Sequence, residues 1–173
     1  MRRILIVVDM QNDFIDGALG TPQARAIVAA VVKKIGKYNS SDIIATRDTH
    51  EENYLSTSEG IHLPVVHCIC GSDGWQLNKE VAAALNGAMI IDKPTFGSTV
   101  LTEYLRTLAS RERIEVELVG LCTDICVVSN ALLLKAAMPE VRISVDSSCC
   151  AGVTDATHEA ALMTMKSCQI EVN

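Results

Sequence analysis

The segment Ile114–Met138 changes its periodicity halfway along. Ile114–Leu121 reads as a strand, and Asp124–Met138 carries apolar residues at helical spacing. The same alternation recurs from the first residue to the last. Strands are expected at Arg2–Val8, Asp42–Arg47, Ala88–Asp92, Val141–Asp146 and Cys168–Val172. Helices are expected at Gln23–Ile35, Ser98–Ala109 and Thr154–Lys166. Thr21 is the candidate cap of the first helix, with Pro22 at its first position, and Ser98 is the candidate cap of the second. Strands separated by helices require crossover connections, hence a mainly parallel sheet covered on both faces. With 173 residues and no repeat or linker, a single three-layer α/β domain over 1–173 is expected.

Composition excludes several function classes. A net charge of −6 without a basic run argues against nucleic acid or an anionic membrane as partner. The apolar run after Met1 is cut short by Asp9, and no run approaches a membrane span, so a soluble, cytoplasmic protein is expected. The seven cysteines are odd in number and contain no C-x-x-C pair. That fits neither a disulfide framework nor a thiolate zinc cluster. Most should be small, reduced core residues.

Three reactive side chains fall at strand ends. Asp9 follows the first strand, Lys93 follows Ala88–Asp92, and Cys126 opens the helix after Ile114–Leu121. In a parallel sheet these ends share one edge, where open α/β sheets bind ligands. A helix amino end also favours a thiolate. Taken singly, Asp9 also reads as a turn residue, Lys93 as a surface lysine and Cys126 as a core thiol. The aperiodic stretch Asp48–Leu63 adds Asp48, His50, Glu59 and His62, with His67 just beyond. Carboxylates and imidazoles suit Zn, Fe or Mn. The alternative is that Asp48 and His50 are turn residues and His67 is a hydrogen-bonded core histidine.

Taken together, five segments resemble the isochorismatase-like cysteine hydrolases, most closely their nicotinamidase branch. They are Val8-Asp9-Met10-Gln11-Asn12-Asp13-Phe14, Thr46-Arg47-Asp48-Thr49-His50, Pro64-Val65-Val66-His67-Cys68 with Gly71 and Gly74-Trp75, Lys93 with Phe96 and Ser98, and Gly120-Leu121-Cys122-Thr123-Asp124-Ile125-Cys126. The resemblance implies a six-stranded sheet of order 3-2-1-4-5-6. It implies Cys126 as nucleophile in a triad with Asp9 and Lys93. It also implies a cis peptide between Leu121 and Cys122, and an oxyanion hole of the Cys122 and Cys126 N–H groups. Asp48, His50 and His67 match the family's metal ligands, with Glu59 as a further candidate and His62 unmatched; zinc is the expected metal, with iron or manganese as alternatives. The implied activity is hydrolysis of a small amide, nicotinamide foremost, in NAD salvage, by a self-associating enzyme. Another amide or ureide is the alternative substrate, and a non-catalytic ligand-binding relative the less favoured one. With aromatics at 3% of the chain, the expected substrate pocket is Phe14, Phe96 and Ile125, with Trp75 and Tyr54 as further candidates.

Overall fold

The computed structural model describes residues 1–173. Six strands form one sheet: β1 (Arg2–Val8), β2 (Ile43–Asp48), β3 (Met89–Lys93), β4 (Ile114–Leu121), β5 (Arg142–Ala151) and β6 (Glu171–Val172). Their order is β3-β2-β1-β4-β5-β6, and every pairing is parallel. The seven α-helices are α1 (Asn12–Ile15), α2 (Pro22–Ile35), α3 (Ser58–His62), α4 (Lys79–Leu85), α5 (Thr99–Ala109), α6 (Val128–Ala137) and α7 (Asp155–Ser167). No helix is long and apolar enough to cross a membrane.

The unbroken apolar run of β1 follows from burial on both faces. Ile4, Ile6 and Val8 pack with residues of α5, α6 and α7. Leu5 and Val7 point the other way and pack with α1, α2 and α4. These two cores make the three layers. The helix starts are fixed locally: Thr21 Oγ1 accepts from Ala24 N, Ser98 Oγ from Leu101 N, and Thr154 and Thr157 form a reciprocal capping box.

Several boundaries differ from the sequence expectation. The short helices α1, α3 and α4 were not expected, because two turns or fewer leave too little periodicity to recognise. Strand β5 runs on to Ala151, with a register irregularity against β4 between Leu118 and Gly120. The last strand is only Glu171–Val172, since Gln169 takes a left-handed conformation (φ 64°) that closes α7. The helix after β4 opens with a π-helical turn, Thr123–Val127, before α6. Such wide turns are frequent at functional sites.

The strand order reverses between β1 and β4, the innermost pair, so the crevice beyond their carboxyl ends is the topological switch point. Gly120 lets the two strands close there. Its φ is +117°, and any Cβ at this position would collide with the Val8 carbonyl oxygen.

Candidate functional site

Asp9 leaves β1 at the switch point with φ 47°, a conformation that Asp tolerates better than most residues. Its side chain turns inward and is wholly buried. Thr46 donates to its Oδ1 at 2.6 Å. Lys93, also fully buried, ends β3 and places Nζ 2.7 Å from Asp9 Oδ2. The contact lies off the line of a hydrogen bond, so Oδ2 is ion-paired but has no aligned donor. The same Nζ lies 3.4 Å from Cys126 Sγ, 3.4 Å from Asp48 Oδ1 and 3.1 Å from the Thr95 carbonyl. Asp9 and Cys126 both contact the same ammonium. Three side chains from three strand ends thus share one buried cluster.

Burial decides the direction of most of these ionisations. It pushes the Asp9 carboxyl above the usual carboxylate range, against the pull of Lys93. Burial and then the Asp9 charge push the Cys126 thiol well up. Burial opposes the Lys93 charge, but Asp9, Cys126 and Asp48 outweigh it and hold the ammonium above its ordinary value. The resting cluster therefore holds a neutral thiol beside a charged lysine.

Cys126 sits within the π-helical turn. The Cys122 carbonyl accepts from Ile125 N at 3.1 Å and from Val127 N at 3.0 Å, and the second bond is the one that widens the turn. The Leu121–Cys122 peptide is cis, as the resemblance implies.

A second cluster adjoins the first. Asp48 ends β2 and His50 lies just past it. Backbone bonds from His50 N to Cys68 O (3.0 Å) and from Cys70 N to His50 O (2.8 Å) zip the His67 segment alongside. Glu59 comes from α3. One ligand atom from each of Asp48, His50, Glu59 and His67 lies within 4.8 Å of all the others. His50 Nε2 is 2.9 Å from Asp48 Oδ2 and 3.6 Å from Glu59 Oε1; His67 Nε2 is 3.7 and 3.8 Å from the same two oxygens. Tetrahedral zinc with bonds near 2.0–2.1 Å would hold its ligand atoms about 3.3 Å apart, within the span of these distances. His67 Nδ1 donates to the Val65 carbonyl at 2.7 Å, which leaves Nε2 with its lone pair toward the cluster. His50 Nε2 is buried with no hydrogen-bond partner. The donor set fits a divalent ion. Burial raises Asp48, but His50, His67 and Lys93 outweigh it and hold the carboxyl well below the usual range.

Gln11 and Asp13 hold this loop in place. Fully buried Gln11 clamps the backbone of Asp48: Oε1 accepts from its N–H at 2.7 Å, and Nε2 donates to its carbonyl at 2.8 Å and to that of Trp75 at 2.9 Å. Asp13 Oδ2 accepts from Cys68 N at 2.7 Å. Neither was singled out in the sequence. A Gln and an Asp in polar succession after a buried strand were the available signal.

Both clusters open onto a cavity of about 770 Å³ lined by Asp48, Glu59, His67, Cys122 and Cys126 on its polar side. Phe14, Phe96 and Ile125 line it. Tyr54 and Trp75 do not. Tyr54 is buried behind the imidazoles, its ring 4.6 Å from that of His50 and 5.0 Å from that of His67, with its hydroxyl bonded to Leu63 O. Trp75 faces away, covered by the Arg47 guanidinium at 3.6 Å and tied through Nε1 to Thr49. Leu19, Leu63, Pro94 and Val153 supply apolar wall instead, and His62 joins the lining though no ligand atom of it enters the metal cluster.

The chain is 28% identical to the nicotinamidase/pyrazinamidase of Mycobacterium tuberculosis, over 98% of its own length and 97% of the relative's. It superimposes on the pyrazinamidase of Pyrococcus horikoshii in complex with zinc with a TM-score of 0.79 at 29% identity, covering 100% and 99% of the two chains. The N-carbamoylsarcosine amidase of Thermoplasma acidophilum gives 0.78 at 27%, covering 100% and 96%. The Isochorismatase domain matches residues 3–172, so the chain belongs to the isochorismatase family.

Proposed function

We propose that the protein is a cysteine amidohydrolase that cleaves a small carboxamide to a carboxylate and ammonia, with nicotinamide the leading substrate. The observation that carries this reading is the buried cluster of Asp9, Lys93 and Cys126 at the cavity floor. An amide is a weak electrophile with a poor leaving group, so its hydrolysis needs a strong nucleophile, a proton carrier and an oxyanion site.

Here Cys126 Sγ attacks the amide carbon as its proton passes to Asp9 Oδ2, the oxygen without an aligned donor. The raised affinity of buried Asp9 for a proton suits it to accept one. The N–H groups of Cys122 and Cys126 hold the oxyanion, at about 3 kcal/mol per donor. Asp9 then returns the proton to the nitrogen as the C–N bond breaks and ammonia departs. Water, deprotonated by Asp9, attacks the thioester carbonyl, and the thiol is released as it regains that proton. Lys93 balances the charge of Asp9 throughout and holds it in place. Asp48, His50, Glu59 and His67 would hold a divalent metal, zinc by donor type. A bound metal would supply a Lewis-acidic anchor for a ring nitrogen or an ordered water.

A second reading keeps the chemistry and changes the acyl group. The cavity is roomy, and only Phe14 and Phe96 are aromatic among its apolar lining, so a bulkier or non-aromatic amide or ureide also fits. The similarity to N-carbamoylsarcosine amidase supports it.

Ammonia release across a panel of small amides and ureides separates the two, with nicotinamide expected to turn over fastest. Cys126→Ala should abolish release while the fold persists, and wild type should yield an acyl adduct on Cys126 by mass spectrometry. Turnover retained in Cys126→Ala would sink the assignment.

A further inference from the structure

The geometry points to His158, on α7, as a positioning residue for the turn that carries Cys122 and Cys126. This rests on the reading of Cys126 as the nucleophile. The turn has no cap of its own: Cys122, which precedes it, makes no side-chain cap bond, and its carbonyl accepts only from Ile125 N, three residues on, and Val127 N, five residues on. A helix start without an internal cap needs an outside partner to fix its orientation.

That partner is the segment after β5. Thr123 is fully buried, and its hydroxyl lies 2.8 Å from His158 Nδ1. The next residue, Asp124, accepts the Val153 N–H with both carboxylate oxygens at 3.2 Å. Two successive residues of the turn are therefore gripped by residues five apart on a different element. His158 is itself well anchored. It sits in the first turn of α7, behind the capping box, with its own N–H bonded to the Thr154 carbonyl at 2.9 Å. Gly152 packs against it so closely that a Cβ there would lie 2.9 Å from the His158 Cβ.

Gly152 and Val153 line the cavity, but His158 does not. It cannot touch substrate and acts through Thr123. Loss of its bond frees the turn to rock, which displaces the thiol and the Cys122 N–H together. Misplacement on the ångström scale costs rate rather than binding.

The experiment compares His158→Ala, His158→Asn, Thr123→Val and the double variant His158→Ala/Thr123→Val. Asn is chosen because its amide group can occupy the position of Nδ1. Three readouts are taken: kcat and KM on the best amide of the panel, the rate of Cys126 alkylation by iodoacetamide resolved by peptide mass spectrometry, and thermal stability. His158→Ala should lower kcat by about 10–100-fold with KM little changed, and alter the Cys126 alkylation rate. His158→Asn should recover most of that loss. Thr123→Val should match His158→Ala, and the double variant should be no worse than either single one. Wild-type kcat in His158→Ala, equal damage from Asn, or additive losses would each overturn the proposal. If His158→Ala does not fold, His158→Asn and Thr123→Val decide through the same rates. If wild type turns over no amide, the hydrolase reading fails by itself, and the alkylation rates still test the role of His158.

Discussion

Two lysines sit in ion-pair clusters in this protein, Lys34 half-buried and Lys93 fully buried, and the clusters differ in how their oxygens are engaged. Lys34, on α2, places Nζ 2.9 Å from Glu117 Oε1 in mid-β4 and 2.6 Å from Asp146 Oδ2 in β5. The remaining oxygens of that cluster are all engaged: Tyr38 donates to Glu117 Oε2 at 2.6 Å, and Ser148 donates to Asp146 Oδ1 through both its N–H and its hydroxyl. Burial and Glu117 push the Tyr38 hydroxyl up to about 12, so it stays a donor. The Lys93 cluster is more deeply buried, yet it leaves Asp9 Oδ2 without an aligned donor and keeps a neutral thiol against the cavity. Buried charge alone does not make a site. The Lys34 cluster is saturated and cements α2 to the sheet, whereas the Lys93 cluster presents a neutral thiol to the cavity.

The comparison breaks hardest at Lys93. Lys93→Met keeps the side-chain length and removes the charge, leaving Asp9 buried and unpaired. Loss of one partner of a buried pair typically costs about 3–5 kcal/mol. Turnover should fall by about 10²–10⁴-fold, the range for a lost acid–base arrangement. Adding Asp9→Asn removes the orphaned charge, so the double variant should regain stability in urea denaturation without regaining activity. Recovery of both together would mean that the pair is structural, like the Lys34 cluster.

The metal cluster comes next in expected effect. Zinc added to metal-free wild type should raise the melting temperature in proportion to its binding. His50→Ala should lose this response, with metal affinity reduced at least about 10–100-fold, read by metal content after dialysis. A melting temperature that does not respond to zinc in wild type would remove zinc from the site.

What could be read from the sequence tracks how local each signal is. β1 was legible because a strand buried on both faces must be apolar throughout, and β4 because Ile114-Glu-Val-Glu-Leu alternates as a strand does. Asp9, Lys93 and Cys126 were legible as residues at strand ends, and a parallel sheet necessarily brings such ends to one edge. The helix α4 was overlooked although Lys79–Leu85 is made of good helix formers behind Asn78, whose side chain accepts from Glu80 N and Val81 N. Two turns were too few to display a face. Tyr54 and Trp75 were misplaced because an aromatic residue near a site does not announce which way its ring points. Tyr54 is claimed by the imidazoles and the Leu63 carbonyl, and Trp75 by Arg47 and Thr49. The bonds from Gln11 to Asp48 and from His158 to Thr123 span 37 and 35 residues. No local pattern marks either; only the packed layers bring those ends together.

The smallest effects belong to the saturated cluster, where stability should change and chemistry should not. Lys34→Met leaves Glu117 and Asp146 without their cation in a partly solvated setting, a loss of about 1–3 kcal/mol after allowance for screening. Turnover per folded molecule should stay at the wild-type level, because nothing in that cluster reaches the cavity lining. The pH dependence supplies a sharper signature. Burial raises Asp146, but its bonds from Lys34 and Ser148 outweigh this and hold the carboxyl below its ordinary value. A carboxyl with a depressed folded-state pKa contributes stability that is fully present above the unfolded value, near 3.9, and is lost as pH falls through the folded one. Lys34→Met removes the main source of that depression. The stability gap between wild type and variant should therefore be widest near neutrality and narrow as pH drops below about 4. Urea denaturation at several pH values measures the gap directly. A gap that stays constant into acid would show that the stability lost in Lys34→Met does not come from pairing with these carboxylates, and the contrast with Lys93 would then rest on activity alone.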